Sequence, residues 1–207
     1  MSMAETDSVL KLLERLPPRP DPGLDRLLDA TERCLARYGI RRTSMTDIAR
    51  EMHVARTTLY RQVSSVEEAV ALVASRQLHR MLDDLVAHLS APGGAGAAGF
   101  IEAVAATVRF ARSNPVSRRV LDDEPEILGS LLARDLGPYV SQVAEALVPV
   151  VQGAMDAGLI GGDDPLLVAQ WLVRVVTVLV VLPPEDDLDA MVGYALSPLL
   201  ASSGPGA

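Results

Sequence analysis

Apolar residues recur at intervals of three and four along nearly the whole chain, and strict alternation is almost absent. The pattern predicts helices throughout and an all-α fold. Leu24, Leu27, Leu28, Thr31, Cys34, Leu35 and Tyr38 form one stripe. Asp21-Pro22 supplies an N-cap and a first-turn proline ahead of it, and Gly39 stands where a C-cap wants a left-handed residue. Ser44-x-x-Asp47 has the form of a capping box, with Ile48 and Met52 facing inward from the helix it starts. Ser65-x-x-Glu68 is a second box, opening a long helix expected to run to about His88. Further helices are expected near 97–113, 116–122, 125–134, 138–157, 164–182 and 186–201. Asn114-Pro115, Glu124-Pro125, Gly137-Pro138, Gly161-Gly162 and Pro183-Pro184 mark the breaks. Residues 1–22, polar and then proline-broken, read as a loose arm with at most a short helix around Val9 to Leu16. Ala91 to Gly99 reads as a linker; its formal G-x-G-x-x-G follows a helix rather than a strand, which excludes a dinucleotide site.

Between the two capping boxes lies SMTDIAREMHVARTTLYRQV, Ser44 to Val63, two short helical patterns with only Met52 to Ala55 to turn between them. Isolated helices below about 12–15 residues are marginal in water, so both must pack on the preceding Leu24–Tyr38 helix. Leu59 and Val63 face inward. Arg56, Thr57, Thr58, Tyr60, Arg61 and Gln62 are left outward, a set of cations, hydroxyls and an amide suited to the DNA major groove.

Charge sharpens this picture. The chain has 207 residues and net charge −8, yet the stretch Arg37 to Arg61 carries six arginines against Asp47 and Glu51. A basic patch on an acidic protein is the electrostatic footprint of a polyanion partner. The single cysteine, Cys34, lies on the apolar stripe and is expected in the core; it excludes an internal disulfide framework and favours a reducing cytoplasm. No signal peptide opens the chain, and the longest apolar run, Val175 to Leu182, is far short of the roughly 20 residues that span a bilayer. A cytoplasmic location is therefore expected.

The residues at this point resemble those of the TetR family of bacterial one-component regulators, of actinobacterial type. The resemblance covers Leu24 to about Leu72: Leu27-Leu28-Asp29-Ala30, Tyr38-Gly39, Thr46-Asp47-Ile48-Ala49, and Val54-Ala55-Arg56-Thr57-Thr58-Leu59-Tyr60-Arg61. The last string is similar to the family's V-S-x-G-T-L-Y-x signature, followed at Ser65-Val66-Glu67-Glu68 by its S-K-E-x. Weaker similarity extends to Ala169–Arg174 and Tyr194–Leu200. The resemblance implies a homodimer with an N-terminal helix-turn-helix and a variable ligand-binding domain, binding a pseudo-palindromic operator. It makes Arg41, Arg42, Ser44, Thr46, Arg56, Thr57, Thr58, Tyr60, Arg61 and Gln62 the candidate DNA contacts, with Tyr60 on a phosphate. Several positions depart from the family pattern. Ala55 replaces the usual serine, removing a side-chain N-cap worth ~1 kcal/mol. Thr57 stands where glycine is common, Val66 where lysine is often aimed at a phosphate, and His53 at a turn position usually given to glycine. These departures bear on affinity and operator sequence.

The expected division is an arm over 1–22, a helix-turn-helix domain over 23–65 (motif about 44–63), and a ligand-binding and dimerisation domain over 66–207. The last part is aliphatic and poor in aromatics. Leu78, Met81, Leu82, Leu85, Phe100, Val104, Val108, Leu121, Ile127, Leu131, Tyr139 and Val143 could line an apolar cavity, which points to a small hydrophobic effector. The last two helices are apolar on more than one face, so Trp171, Val175, Val176, Leu179, Leu196 and Leu199 are expected at an isologous dimer interface. Arg118 and Arg119 should pair with acids nearby, and Arg174 should find a structural carboxylate. No nucleophile motif, Walker loop or His/Cys cluster is present, so no catalytic site, metal or cofactor is expected. The reading is a ligand-responsive DNA-binding regulator, a repressor by family resemblance. The alternative is a helical hydrophobic-ligand-binding dimer without specific DNA binding.

Overall fold

The stripe of α1 (Asp25–Tyr38) meets two short helices and the start of a long one, and the first half of the fold is built on that contact. The computed structural model describes residues 18–91, 96–124, 126 and 136–201, and no strand occurs among them. After a 3-10 turn at Pro22–Leu24 capped by Asp21, α1 is followed by α2 (Met45–Glu51), α3 (Arg56–Tyr60), α4 (Val66–Ser90), α5 (Gly96–Ser113) and α6 (Pro115–Asp123). Then come α7 (Leu136–Asp156), α8 (Pro165–Val181) and α9 (Leu188–Ala201). Of the expected breaks, Asn114-Pro115 opens α6, whereas Gly137-Pro138 falls within the first turn of α7; Asp164-Pro165, not among them, opens α8. Asn114 accepts from the Val116 and Ser117 amides and Asp164 from those of Leu166 and Leu167, each ahead of a proline at the first helical position. Apart from Glu126, the helix expected over 125–134 falls outside the described residues, as does that of the N-terminal arm.

The chain divides into two compact units, one holding residues up to 79 together with 113–139, the other 80–112 together with 140 onward. This division falls inside α4. In the first unit, Leu27, Ala30 and Cys34 of α1 share a buried cluster with Met45, Ile48, Ala49, Met52, Leu59, Val63 and Ala69. A second cluster joins Leu28, Leu35, Ile40, Val70 and Val73, and Val116 and Val120 of α6 pack against it. In the second unit, Phe100, Val104 and Val108 of α5, Val140, Val143 and Leu147 of α7, Leu172 and Leu179 of α8, and Val192 and Leu196 of α9 are buried. Arg109 bridges Glu102 and Asp189 there, and Arg112 donates to the Val180 carbonyl in the last turn of α8.

Local backbone chemistry follows the sequence with two amendments. Ser44 and Asp47 form the full reciprocal capping box. At α4 the box is split: the Glu68 amide donates to Ser65 Oγ at 3.2 Å, while the Glu68 carboxylate accepts from the Ser64 amide at 2.8 Å instead of that of Ser65. Gly39 has the positive φ expected, 82°, but with ψ 170° it lies outside the left-handed helical region, in a conformation open essentially to glycine alone. His53 takes φ 55° in the turn between α2 and α3, the left-handed geometry that its place in the motif implied. Cys34 is buried as expected, and burial, with Glu51 and Asp47 nearby, pushes its thiol up to about 11, away from nucleophilic range.

Two substitutions probe this backbone. Gly39→Ala should lower the unfolding free energy by ~1–3 kcal/mol, the cost of holding a side chain in so sparsely populated a conformation. His53→Gly should raise it by up to ~1 kcal/mol, since relief of left-handed strain outweighs the entropy glycine adds to the unfolded chain. Both are read as shifts of the urea midpoint at constant slope; an unchanged midpoint for either variant would contradict the strain assigned to that residue.

Candidate nucleic-acid interface

α3 is five residues long and has no side-chain cap, since Ala55 holds the N-cap position with extended backbone but offers no acceptor. Packing stands in for the cap. Leu59 is fully buried and Val63, one turn on, nearly so, and this i, i+4 pair turns the rest of the helix to solvent. Arg56, Thr57, Thr58, Arg61 and Gln62 are exposed, and Tyr60 is 47% exposed despite its ring. The Arg56 guanidinium lies 5.8 Å from the Tyr60 ring centroid and 3.4 Å from its hydroxyl, so the two present as one unit. An exposed tyrosine beside a cation, with hydroxyls on either side, suits a phosphate-lined groove.

The other predicted contacts divide by how far they are already engaged. Thr46 is exposed. The Ser44 hydroxyl accepts from the Asp47 amide and donates to its carboxylate, so it serves the cap first. Arg42 donates to the Tyr38 carbonyl at 3.0 Å, and Arg41 pairs with Glu126. The Glu126 carboxyl is held below its usual range by its own backbone N–H first and by Arg41 after that. Arg37 lies 3.8 Å from Glu51 and Arg50 3.5 Å from Asp47, both from exposed arginines, and such pairs are readily exchanged for phosphate. Glu51 is engaged mainly by Arg33 at 2.7 Å, which lowers its carboxyl pKa. Among the described residues, Arg42, Arg56 and Arg61 have no carboxylate partner.

The positions proposed for a cavity fall in both units. Leu78 is buried and Leu121 half-buried in the first; in the second, Phe100, Val104, Val108 and Val143 are buried and Met81, Leu82 and Leu85 half-buried. Ile127, Leu131 and the Tyr139 side chain lie outside the described residues. Of the residues expected at a dimer interface, Trp171, Val175, Val176 and Leu199 are half-buried, whereas Leu179 and Leu196 sit inside the core. The large exposed apolar side chains here are Leu166, Leu167 and Val178 on α8, Leu182 at its C-cap, and Met191 and Tyr194 on α9. Arg174 corrects its expectation outright. It is exposed and donates to the Gln170 carbonyl, because it lies on the outer side of α8. Arg119 pairs with Asp123 as expected, while Arg118 is exposed without a carboxylate partner among the described residues.

Sequence reasoning missed two buried ionic groups. Arg76 of α4, its side chain 7% exposed, reaches Asp29 and Glu32 at 2.8 Å and Asp25 at 3.6 Å. The signal was present as acids at i, i+4 and i+7 on α1 facing one arginine in an apolar stretch of α4. Glu124, at the end of α6, accepts from the backbone amides of Ile40 and Arg41. No local pattern announces a contact across more than 80 residues.

Residues 27–72 match the family model described as bacterial regulatory proteins, tetR family. An uncharacterised HTH-type transcriptional regulator of Mycobacterium tuberculosis (strain H37Rv) is 27% identical over 195 residues, 91% of each chain. Two solved structures share the fold. The TetR family repressor AlkX of Dietzia sp. strain DQ12-45-1b, implicated in biodegradation of n-alkanes, superposes with TM-score 0.62 at 20% identity, over 84% of this chain and 93% of its own. The fatty acid degradation regulator FadR from Bacillus halodurans has TM-score 0.57 at 18% identity, over 87% and 96% respectively. These proteins are regulators rather than enzymes. With the helix-turn-helix geometry of α2 and α3, they show that residues 27–72 form a DNA-binding segment of the tetR-family type, in a chain similar over nine tenths of its length to an HTH-type transcriptional regulator.

Proposed function

We propose that the protein is a homodimeric repressor that leaves a pseudo-palindromic operator when a small hydrophobic molecule enters its second unit. The observation that carries this reading is α4. Its first turns are held in the buried clusters of the reading head through Ala69, Val70 and Val73, and the same uninterrupted helix brings Met81, Leu82 and Leu85 into the second unit. A helix without a break transmits displacement, so a ligand that shifts its later turns moves α3 relative to the groove. The aliphatic interior around Phe100, Val104, Val108 and Val143 supports an apolar effector. The AlkX and FadR names, tied to n-alkane and fatty acid degradation, point toward a hydrocarbon or acyl chain. No described helix is long and apolar enough to cross a membrane.

The operator face comprises Arg42, Thr46, Arg56, Thr57, Thr58, Tyr60, Arg61 and Gln62, with Arg41 recruited from its exposed ion pair. Alanine at Arg56 or Arg61 should weaken binding to the gene's own upstream DNA, by ~1–3 kcal/mol where that arginine makes a bidentate base contact. Tyr60→Phe should weaken binding with little change in sequence preference, because phosphate contacts position without specifying. Gel shifts showing equal affinity for operator and random DNA, in wild type and variants alike, would remove specific recognition from the reading.

Exposed Leu167, Val178, Leu182, Met191 and Tyr194 support dimerisation through α8 and α9, along a stripe displaced from the one containing Leu179 and Leu196. Val178→Glu combined with Tyr194→Glu should give a folded monomer by light scattering, whereas a charge at Leu196 should unfold the protein. A monomeric wild type at micromolar concentration would contradict the dimer.

A fatty acid or n-alkane shown independently to bind should lower operator affinity by about 5–150-fold, and by linkage operator DNA should weaken that ligand equally. Val104→Phe or Val108→Leu should block this response while operator affinity stays close to wild type. Operator affinity that does not move across ligand saturation would rule out regulation through this unit.

A further inference from the structure

The end of α6 returns to the reading head far from its place in the sequence. Glu124 is 6% exposed, and its two carboxylate oxygens accept from consecutive backbone amides, Ile40 N–H at 2.8 Å and Arg41 N–H at 3.0 Å. Desolvating a carboxylate is costly. Here two aligned donors offset that cost, in the manner of the backbone concavities that hold anions. The fit is close. A Cβ on Gly39 would lie 2.8 Å from Glu124 Oε1, so the approach requires glycine there. Val116 and Val120, packed on the cluster of Leu28, Leu35 and Ile40, give the carboxylate a firm support.

The segment so held is the turn from α1 to α2. It carries Arg41 and Arg42 and ends at Ser44, the cap of α2. A Thr43 hydroxyl bond to the Gly39 carbonyl, at 2.7 Å, ties the turn to itself, and Glu124 ties it to α6. We propose that Glu124 is a positioning residue for operator binding, holding this turn so that Arg41 and Arg42 meet backbone phosphates in register with α3. The proposal rests on the reading of the α2–α3 face as the operator-binding surface. Without the carboxylate, two amides lose their partners and the turn must be ordered at the moment of binding, which costs affinity. The Arg41–Glu126 pair does not oppose this role, since both side chains are substantially exposed and phosphate displaces such a partner at little cost.

The test uses the full-length protein, a duplex from its own upstream region and a scrambled duplex of equal length, titrated by fluorescence anisotropy across a salt series. Glu124→Ala should weaken operator binding roughly tenfold and flatten the logarithmic salt dependence by about 1–2, the mark of lost phosphate contacts. Glu124→Gln, which keeps one carbonyl acceptor, should fall between wild type and alanine on both measures. In an Arg41→Ala, Arg42→Ala background the alanine substitution should change affinity by less than about twofold, because the contacts it served are gone. A loss of equal size in both backgrounds, or one with an unchanged salt slope, would assign Glu124 to folding stability and overturn the proposal. Wild-type affinity in Glu124→Ala overturns it too. Should that variant fail to fold, Glu124→Gln decides, and wild-type affinity and slope there are equally fatal. Equal binding of operator and scrambled duplex by the wild type fails differently, removing the DNA reading on which the proposal stands.

Discussion

Two helices of seven and five residues keep their shape because α1 offers them an apolar face to settle on. Neither could persist alone. Leu27, Ala30 and Cys34 on one side, and Ile48, Met52, Leu59 and Val63 on the other, exclude water together, each large buried side chain contributing ~1.5–3 kcal/mol before the cost of ordering the chain. This contact also aims the reading helix. With Leu59 and Val63 committed inward, Arg56, Tyr60 and Arg61 have only the outward side to occupy. The same burial renders Cys34 chemically quiet. Reading head and core are thus one interaction seen from two sides.

A cationic surface on an acidic chain depends on where the acids are spent. Three carboxylates of α1 converge on Arg76, Asp47 caps α2, and Glu51 lies between Arg33 and Arg37. Removing Arg76 would leave three neighbouring acids without their common counter-charge, so that residue fastens α4 to α1 as well as neutralising it. Its Nε donates to Glu32 at 3.2 Å and its Nη1 to the Asp25 carbonyl at 3.4 Å, so the clamp is directed as well as electrostatic. The result is a head on which Arg42, Arg56 and Arg61 have no carboxylate partner among the described residues, while the chain as a whole stays net negative.

The second unit shows where periodicity stops being informative. α8 is apolar on nearly every side from Val175 to Val181, and a helix of that kind carries no asymmetry to say which side meets the core. Leu179 went inward and Val178 outward, a difference of one position that only the packing of neighbouring helices resolves. Arg174 came to rest outside for the same reason: its side of α8 faces solvent, so it needs no buried partner. The split of the second capping box is of this kind too: Ser65 Oγ keeps the Glu68 amide while the Glu68 carboxylate takes the Ser64 amide, because a glutamate has two amides within reach and the local fold selects one.

Much of this protein is legible without coordinates, because the interactions concerned are local. Periodicity, capping residues and proline positions set the helices to within two residues or so, since each depends on side chains three or four apart. The spacing of Leu59 and Val63 likewise determined the exposed face of α3, and His53 carried its left-handed turn in the motif itself. Tertiary structure alone decided what distant segments do to one another. It brought Glu124 to the Ile40 and Arg41 amides, gave Gly39 a conformation tied to that approach, converged three acids on Arg76, and chose the outward stripe of α8 and α9. Those outcomes turn on which helix lies beside which, and a sequence records a neighbour only when that neighbour is within reach along the chain.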